Sequence, residues 1–482
     1  MHTLEQLRSG ALAGFTRLDL CAGLTALPPE VYGLADTLEV LNLSGNRLTD
    51  LPHDLTRFKK LKVVFGSDNA FTHLPEVLGD CPQLQMVGFK ANRIAHVSAA
   101  ALPPALRWLI LTDNAVEQLP PELGQRPALQ KLMLAGNRLT RLPDTLAAAS
   151  QLELLRLSAN RLQALPGWLT ELPALAWLAL SGNPAVAAPA QPGVAAARPG
   201  GVAAADTVLP VDTVLNLPNV PRVDWAQVAV GPRLGEGASG HIHHAQVAVG
   251  AAPVTDPATQ ALHGQPLHGQ PLHGQPLALK LFKGAMTSDG LPHDELAASL
   301  AAGPHPALCT PVAQVVGHPQ GLPGVLLPLI PPTHTVLAGP PSLASCTRDV
   351  YAPALRLSPA VAHTLARDVA QAVAHLHARG VMHGDLYAHN TLWHPATGHA
   401  RLSDFGAATV LTQLPAATRQ ALLALEVRAF GIMLLELAER LDGAGGADAP
   451  STPLRHLAQA CMQADAGARP RMRDVEKMLH KT

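Results

Sequence analysis

The sequence lacks an excess of charge of either sign. Of its 482 residues, 35 are Lys or Arg and 36 are Asp or Glu, so the formal net charge is −1. A strongly basic surface is what attracts nucleic acid or an anionic membrane without sequence preference, and this composition does not supply one. Nucleic acid is therefore not an expected partner.

Paired cysteines and long apolar runs are missing as well. The five cysteines are far apart and form no Cys-x-x-Cys pair. This spacing does not favour a disulfide framework or a zinc site, and it fits a reducing compartment. No basic and then apolar leader opens the sequence, and no run of about 18 apolar residues free of proline and charge occurs. We expect a cytoplasmic protein without a membrane span.

Aromatic residues are scarce, at 3%, yet hydrophobic residues make up 48% of the chain. The cores must therefore consist mainly of Leu, Val and Ala, and the composition argues against global disorder. At roughly 100–200 residues per domain, the length predicts two to four domains.

The first 190 residues repeat themselves. The stretch LEVLNLSGNRLTDLP at 38–52 returns as LQKLMLAGNRLTRLP at 129–143 and LELLRLSANRLQALP at 152–166, and looser copies keep a step of about 23 residues. The pattern LxxLxLxxNxLxxLP is that of the leucine-rich repeat, and about eight units cover roughly residues 15–190. One unit of this size cannot bury its apolar face alone, so the units must stack around a shared core.

Two sets of residues follow from this frame. The asparagines are expected to form an internal ladder that bonds open backbone groups (Asn46, Asn69, Asn92, Asn114, Asn137, Asn160 and Asn183). The variable positions of the short LxL strands line the concave face, where solenoids bind proteins or peptides. They include Glu39, Asn42, Ser44, Lys62, Gln85, Lys90, Arg107, Lys131, Glu153 and Arg156. A protein partner or substrate on this face is the expected function.

Beyond the repeats the composition changes. We predict a solenoid at 1–190, an Ala/Pro/Gly-rich linker at 191–222 and a further domain at 223–482, with a division near residue 330. Three copies of HGQPL at 263–277 indicate a low-complexity insertion. His-rich tracts can bind metal, so metal binding stays open there and at the His241, His243 and His244 cluster, although ordinary loop and strand histidines are favoured.

A glycine-rich motif opens this second half. RLGEGASGHIHHAQV at 233–247 contains Gly235, Gly237 and Gly240, a GxGxxG pattern that is weak by itself. Leu234 before it and Ile242 after it indicate strand, turn, strand. In such a hairpin the backbone N–H groups can approach nucleotide phosphates closely.

Charged and polar residues that could serve a phosphate site follow in the second half of the chain. Lys280 lies in the apolar strand PLALKLF, and Glu295 lies fifteen residues later in a predicted helix. A lysine inside an apolar strand either snorkels to water or needs an acidic partner. Further on, HGDLYAHN at 383–390 contains Asp385 and Asn390, and SDFG contains Asp404.

In this order the motifs resemble those of the eukaryotic-type protein kinase family, in a version similar to bacterial kinases linked to leucine-rich repeats. The resemblance covers about residues 225–482. It implies an α+β bilobal domain, with an N-lobe at 223–330 and a C-lobe at 331–482, after the α/β repeat solenoid. It also implies ATP and Mg²⁺ as cofactors.

The resemblance assigns a role to each matching residue. Gly235, Gly237 and Gly240 would cover the ATP phosphates, and Lys280 would hold the α- and β-phosphates while pairing with Glu295. Asp385 would accept or orient the proton of the substrate hydroxyl. Asn390 and Asp404 would bind the metal. The remaining ATP contacts would be Leu234, Ile242, Ala278 and Leu392, with a hinge near Leu327–Leu329.

Three departures from the family pattern stand out. Gly384 replaces an arginine that reads a phosphorylated activation loop, which suggests activity without such phosphorylation. Tyr387 stands where serine/threonine kinases place a lysine, so that positive charge is missing. His389 follows two residues later, and a histidine is mostly neutral at pH 7 unless its site raises its pKa. Only 22 positions separate Asp404 from Glu426, so the segment that docks a peptide is short. Thr409, Thr412 and Thr418 are candidate phosphate acceptors.

The sequence thus predicts an ATP- and Mg²⁺-dependent protein kinase, with Ser/Thr favoured, that modifies itself or a protein held by the repeats. Two alternatives stay open. A pseudokinase scaffold would bind nucleotide and protein without efficient transfer, and a small-molecule phosphotransferase would explain the short docking segment.

Overall fold

The computed structural model describes residues 1–187, 221–237, 239–248, 272, 274–283, 286–442 and 453–481. The chain forms two compact units. The first comprises residues 1–185, Pro341–Arg348 and Ala464–Ala468, and the second comprises 186–340, 349–463 and 469–482. The predicted linker, apart from residues 221–222, and most of the HGQPL insertion lie outside the described residues.

The first unit begins with helix α1 (Leu4–Arg8) and contains one parallel sheet, in which every strand pairs with the next in chain order. Three residues per strand fit the LxL element of each repeat. The strands are β1 (Arg17–Asp19), β2 (Val40–Asn42), β3 (Val63–Phe65), β4 (Met86–Gly88), β5 (Trp108–Ile110), β6 (Lys131–Met133), β7 (Leu154–Arg156) and β8 (Trp177–Ala179). Short 3₁₀ helices return the chain between the strands, and several follow a Pro that fixes the backbone before the turn.

The core of this unit is built by the period of the repeat. The middle residue of each strand points inward, so that Leu109, Leu132 and Leu155 are completely buried. The asparagine ladder is confirmed. Asn160 donates through Nδ2 to the carbonyl oxygens of Leu134 (2.8 Å) and Leu157 (2.9 Å) and accepts from the N–H of Leu139 (3.0 Å). Each such amide links one repeat to the preceding one, which joins the units into a solenoid.

The second unit contains a six-stranded sheet in the order β10-β11-β12-β14-β13-β9, which is antiparallel except where β13 meets β9. Its strands are β9 (Arg222–Asp224), β10 (Val228–Glu236), β11 (Gly240–Val247), β12 (Leu277–Phe282), β13 (Ala313–Val316) and β14 (Gly324–Pro328). Helix α2 (Pro292–Ala302) lies between β12 and β13 in sequence. Leu296 and Leu300 of α2 pack with Phe282 of β12 and Val325 of β14 in one buried cluster, so the helix covers the sheet.

Helices dominate the rest of the second unit. They are α3 (Pro359–Ala378), α4 (Ala416–Ala438), α5 (Pro453–Cys461) and α6 (Met472–Lys481). Short strands lie before α3, as β15 (Thr335–Val336), and between α3 and α4, as β16 (Val381–Met382), β17 (Thr391–Trp393), β18 (Ala400–Leu402) and β19 (Thr409–Val410). Ser358 caps α3 by accepting from the N–H of Val361, and Pro359 at the first helical position suits this start.

The predicted fold class, a solenoid of leucine-rich repeats followed by an α+β kinase-like domain, is confirmed. Within the described parts of the chain, no helix is both long enough and apolar enough to cross a membrane.

Candidate active site

The glycine-rich motif forms the expected strand-turn-strand hairpin. β10 and β11 are antiparallel, and the N–H of Gly237 donates to the carbonyl oxygen of Gly240 (2.9 Å) across the turn. Gly240 lies so close to the backbone carbonyl of Leu281 that a Cβ would not fit there. Next to Gly235 and Gly237 the space is open, so these two glycines leave their backbone exposed to a ligand.

Lys280 and Glu295 are brought together, although fifteen residues separate them. Lys280 Nζ bonds Glu295 Oε1, and the two side chains are only 15% and 5% exposed. Burial raises the pKa of Glu295, and the charge of Lys280 opposes that rise. The lysine therefore has an acidic partner, and the alternative of a lysine that snorkels freely to water does not apply.

The strand register brings two of the predicted ATP contacts, Ile242 and Ala278, near this pair. Ile242 of β11 lies directly opposite Lys280, and Ala278 lies two residues before Lys280 on the same face of β12. Leu234 of β10 is 52% exposed, and Leu392 of β17 is partly buried. Whether Leu234 and Leu392 contact the same nucleotide stays a prediction.

The loop HGDLYAHN holds Asp385 and Asn390 in contact. Asn390 Nδ2 donates to Asp385 Oδ2 (2.7 Å) and to the Asp385 carbonyl oxygen (2.9 Å). These bonds fix the carboxylate and use the amide nitrogen of Asn390, so its Oδ1 is the atom suited to a cation. His383 is fully buried, and its Nε2 lies 3.0 Å from the Ser403 carbonyl oxygen.

Asp404 lies between the two groups of charged residues. The N–H of Gly406 donates to Asp404 Oδ1 (3.0 Å), and a Cβ on Gly406 would lie 4.0 Å from Glu295 Oε2. The preceding residue, Ser403, donates its N–H to the Asn390 carbonyl oxygen (2.8 Å), which brings Asp404 to the loop that holds Asp385. Its φ of +62° is rare for a residue with a side chain and marks a strained position. Lys280, Glu295, Asp404 and Asp385 thus converge on one site.

A buried carboxylate anchors the catalytic-type loop to α4. Glu426 accepts from the N–H of Gly384 (2.7 Å) and lies 2.8 Å from His377 Nε2. Burial would raise the pKa of Glu426, but the hydrogen bond and charge of His377, the charge of His383 and the Gly384 N–H lower it overall. Gly384 has a φ of +74°, so this position needs glycine for its backbone. Sequence reasoning treated Gly384 only as a lost arginine and did not assign Glu426 this role.

The charge at His389 also differs from the simple expectation. His389 Nδ1 lies 2.6 Å from Asp349 Oδ1, and its backbone N–H donates to Asp349 Oδ2 (3.1 Å). Burial lowers the pKa of His389, but the bond to Asp349 and the nearby charges of Asp385 and Asp404 raise it overall. The site therefore favours the protonated imidazole. Sequence reasoning missed Asp349 because forty residues separate it from His389.

The segment after Asp404 is short and regular. Val381–Met382 pairs with Thr409–Val410, and α4 then begins at Ala416 and continues to Ala438. Most of the chain between Val410 and Glu426 therefore belongs to one continuous helix. Thr409 is buried and Thr412 is exposed. Arg469 is buried and donates to the carbonyl oxygens of Gln463 and Ala424.

The residues present fit a magnesium ion. Mg²⁺ prefers oxygen ligands and keeps several waters, taking one or two carboxylates together with substrate phosphates. Asp404 and Asn390 Oδ1 supply such oxygens, and the N–H of Ser403 ties the two positions by donating to the Asn390 carbonyl (2.8 Å). No group of three or more His, Cys, Asp or Glu suited to a metal occurs in the described residues. A metal that needs a full protein cage is not indicated there.

Comparison with family models supports both halves of the chain. Residues 104–162 and 127–184 match "Leucine rich repeat", residues 37–58 match "Leucine Rich Repeat" in a second version, and residues 343–424 match "Protein kinase domain". The kinase match includes Asp385, Asn390 and Asp404 but stops short of the glycine-rich hairpin and Lys280. The chain therefore combines leucine-rich repeats with a protein-kinase-like region.

Similar curated proteins share only part of the chain. Leucine-rich repeat and calponin homology domain-containing protein 1 of Mus musculus is 30% identical over 20% of this chain and 13% of its own length. PH domain leucine-rich repeat-containing protein phosphatase 1 of Homo sapiens is 29% identical over 19% of this chain and 5% of its own. A transforming growth factor beta activator of Pongo abelii is 34% identical over 23% and 18%. The chain thus spans less than a fifth of these relatives.

Solved structures that are similar in part include the following example. A leucine-rich-repeat protein of Leptospira interrogans is 29% identical, covers 37% of this chain and 52% of its own, and superposes with a TM-score of 0.32.

Proposed function

We propose that the chain is an ATP- and Mg²⁺-dependent protein kinase, and that it transfers the γ-phosphoryl group to a serine or threonine of a protein or of itself. The observation that carries this proposal is the convergence of the Lys280–Glu295 pair, Asp404 and the Asp385–Asn390 pair on one site. The repeats would recruit the protein partner through their concave face. The domain boundaries and the cytoplasmic location stay predictions of the sequence.

Each residue has a distinct task in the proposed reaction. Lys280, held in place by Glu295, binds the α- and β-phosphates, while the backbone of Gly235 and Gly237 covers the phosphate chain. Asp385 accepts the proton of the substrate hydroxyl while the oxygen of that hydroxyl bonds to the γ-phosphorus. The bond from that phosphorus to the β–γ bridging oxygen breaks, and ADP leaves with the electron pair.

Asp404 and Asn390 would hold Mg²⁺, which when bound neutralises charge on the phosphates. Asp349 orients the imidazole of His389, and the raised pKa of this histidine favours the form that carries a positive charge. In that form His389 would offset the absence of a lysine at position 387. The lost cation was the main sequence argument for slow transfer, and the environment of His389 weakens it.

The test is phosphate transfer by the purified full chain with γ-labelled ATP and Mg²⁺, on itself and on generic protein substrates. We expect label on serine or threonine, and a fall of at least about 10²-fold in Asp385→Ala, since a general base contributes about 10²–10⁴-fold. Lys280→Ala should fail similarly. Asp368→Asn is the control for loss of a hydrogen-bonded carboxylate outside the site. Asp368 accepts from His399 Nδ1 (2.9 Å) and from the Ala400 N–H (3.2 Å), and it is no proposed site residue.

The alternative function is a pseudokinase scaffold that binds nucleotide and protein without efficient transfer. The short connection from Asp404 to α4 favours it, because little chain remains to dock an extended peptide. ATP binding by calorimetry separates the two. Wild-type protein that binds ATP but labels neither itself nor any protein substrate would replace the kinase proposal with this one.

A further inference from the structure

A row of polar side chains runs along one side of the sheet in the first unit. Each occupies the residue just before a strand, one per repeat, and the row is Glu39, Lys62, Gln85, Arg107, Gln130 and Glu153. Some neighbours in the row bond each other. Lys62 Nζ lies 2.9 Å from Glu39 Oε2, and Gln130 Nε2 donates to Glu153 Oε2 (2.9 Å). The next repeat has Ala176 at this position, so the row ends in the carboxylate of Glu153.

This carboxylate binds an arginine. Arg348 belongs to the Pro341–Arg348 segment of the same unit, and its two terminal nitrogens donate to the two oxygens of Glu153, each at 2.9 Å. The guanidinium carbon lies 5.3 Å from the ring centroid of the buried Trp177. A planar fork that meets a carboxylate with two bonds, beside an aromatic ring, is a geometry that suits arginine and not lysine.

The residue before Arg348 adds a second contact. The Thr347 hydroxyl donates to Glu153 and accepts from Gln130 Nε2 (3.2 Å), and the side chain is fully buried. Glu153 therefore binds two consecutive side chains, the hydroxyl of Thr347 and the guanidinium of Arg348.

The segment presents these two side chains from a fixed turn. The N–H of Ser342 donates to Ser345 Oγ (2.9 Å), and the N–H of Ser345 donates to Ser342 Oγ (3.1 Å). Cys346, with a φ of +60°, closes the turn through its N–H to the Ser342 carbonyl oxygen (2.9 Å). A segment ordered in this way loses little conformational freedom when it binds.

We propose that Glu153 and Trp177 form an arginine-binding site on the strand face of the repeats, that Arg348 of the chain itself fills this site, and that a protein presenting a hydroxyl residue followed by arginine binds by replacing it. The proposal specifies the partner chemistry of the proposed recruitment by the repeats. It does not depend on phosphoryl transfer.

The first test measures binding of a fluorescent peptide of residues 341–348, acetylated and amidated, to the full chain. The wild type should bind it weakly, because the tethered Arg348 competes at high effective concentration. Arg348→Ala should bind at least about tenfold more tightly. In that background Glu153→Gln should weaken binding by about tenfold or more, as loss of a central arginine contact does.

Glu117→Gln is the matched control, because Glu117 also pairs with an arginine (Arg138, 3.9 Å) but is not among the residues of the concave face. It should leave peptide affinity within about twofold. A peptide with lysine in place of the arginine should bind about tenfold more weakly. Equal affinity of the wild type and Arg348→Ala, equal effects of Glu153→Gln and Glu117→Gln, or no peptide binding by folded Arg348→Ala would each overturn the proposal.

Hydrogen exchange tests the occupancy without any peptide. Glu153→Gln should speed exchange of the amides of Ser342–Arg348, whereas Glu117→Gln should not. Unchanged exchange in both variants refutes occupancy by Arg348. Because neither measurement uses ATP, failure here and failure of the transfer assay are independent results.

Discussion

Gly384 has a different role in the structure from the one that the sequence pattern indicates. By comparison with the kinase pattern it is a missing arginine, but in the structure it is a backbone position with a φ of +74° whose N–H binds Glu426. A residue with a Cβ would be strained at this angle. The loop is therefore held by a carboxylate from α4, and activity without loop phosphorylation stays a prediction of the sequence.

The Glu426 anchor gives a pH prediction. The pKa of Glu426 lies below its unfolded value of about 4.3, so its stabilisation is present above that pH and is lost as the pH falls through the lower folded value. Glu426→Gln should lower the free energy of unfolding of the second unit by about 1–3 kcal/mol at pH 7, because buried donors lose their charged acceptor. Denaturant titrations should show this difference shrinking below about pH 4. A difference independent of pH would contradict the assignment.

Asp349 gives a second prediction at this scale. Asp349→Asn should reduce kcat by about tenfold or more, since it loosens the ring of His389 beside Asp385, while the KM for ATP changes by less than about threefold. Initial-rate kinetics of the full chain check this. Asp368→Asn, which breaks a similar pair at His399, should leave kcat unchanged. An equal fall of kcat in both variants would show a general loss of structure.

The sequence predicted most of these site residues because each belongs to a short motif of fixed spacing. Asp349 and Glu426 belong to no such local pattern. Their roles depend on contacts 40 and 42 residues away, which only the folded chain defines. The pKa of His389 follows from those contacts, so residue type alone suggested a mostly neutral ring.

At the scale of elements, the repeats were the easiest to predict. Their period fixes strand, turn and core position together, and the same asparagine recurs in every well-formed unit. The amide of Asn160, for example, bonds backbone groups of its own repeat and of the preceding one. A defect in one unit therefore affects its neighbour as well.

Asn160→Ala tests this coupling. The substitution leaves two buried carbonyl groups and one N–H without their partner, and we expect the repeats to lose about 2–4 kcal/mol of stability. Denaturant titration followed by circular dichroism measures the loss. Gln163→Ala is the control, since Gln163 is exposed and bonds only within its own repeat, and it should cost less than about 0.5 kcal/mol.

The turn of Pro341–Arg348 is the element that sequence reasoning did not anticipate. It has no period, no long apolar face and no motif, and its two serines fix it through bonds between side chain and backbone. Serine side chains can form such local bonds with the backbone in many sequence contexts, so the two serines alone do not predict this turn.

At the scale of the whole molecule, two compact units share one chain. Ligand binding should distinguish them, since a ligand stabilises only the state that binds it. MgATP at about 100 times its Kd should stabilise the second unit by roughly 2.7 kcal/mol and raise its unfolding midpoint by several degrees.

Hydrogen exchange with and without MgATP measures this effect locally. The glycine-rich hairpin, β12 and the loop 383–390 should gain protection, and the strands of the repeats serve as the internal reference. Lys280→Ala should abolish the gain. Protection confined to the repeats would contradict a nucleotide site in the second unit.

The continuous helix α4 has a consequence for how such a protein would be controlled in a cell. Residues 407–415 connect Gly406 to α4 through a strand pair and a turn, which leaves little chain to swing between two positions. An enzyme built in this way would be ready as soon as it folds. Its output would then follow its rates of synthesis and degradation and the supply of its substrate, and a modifying partner that switches it on would have little to act upon.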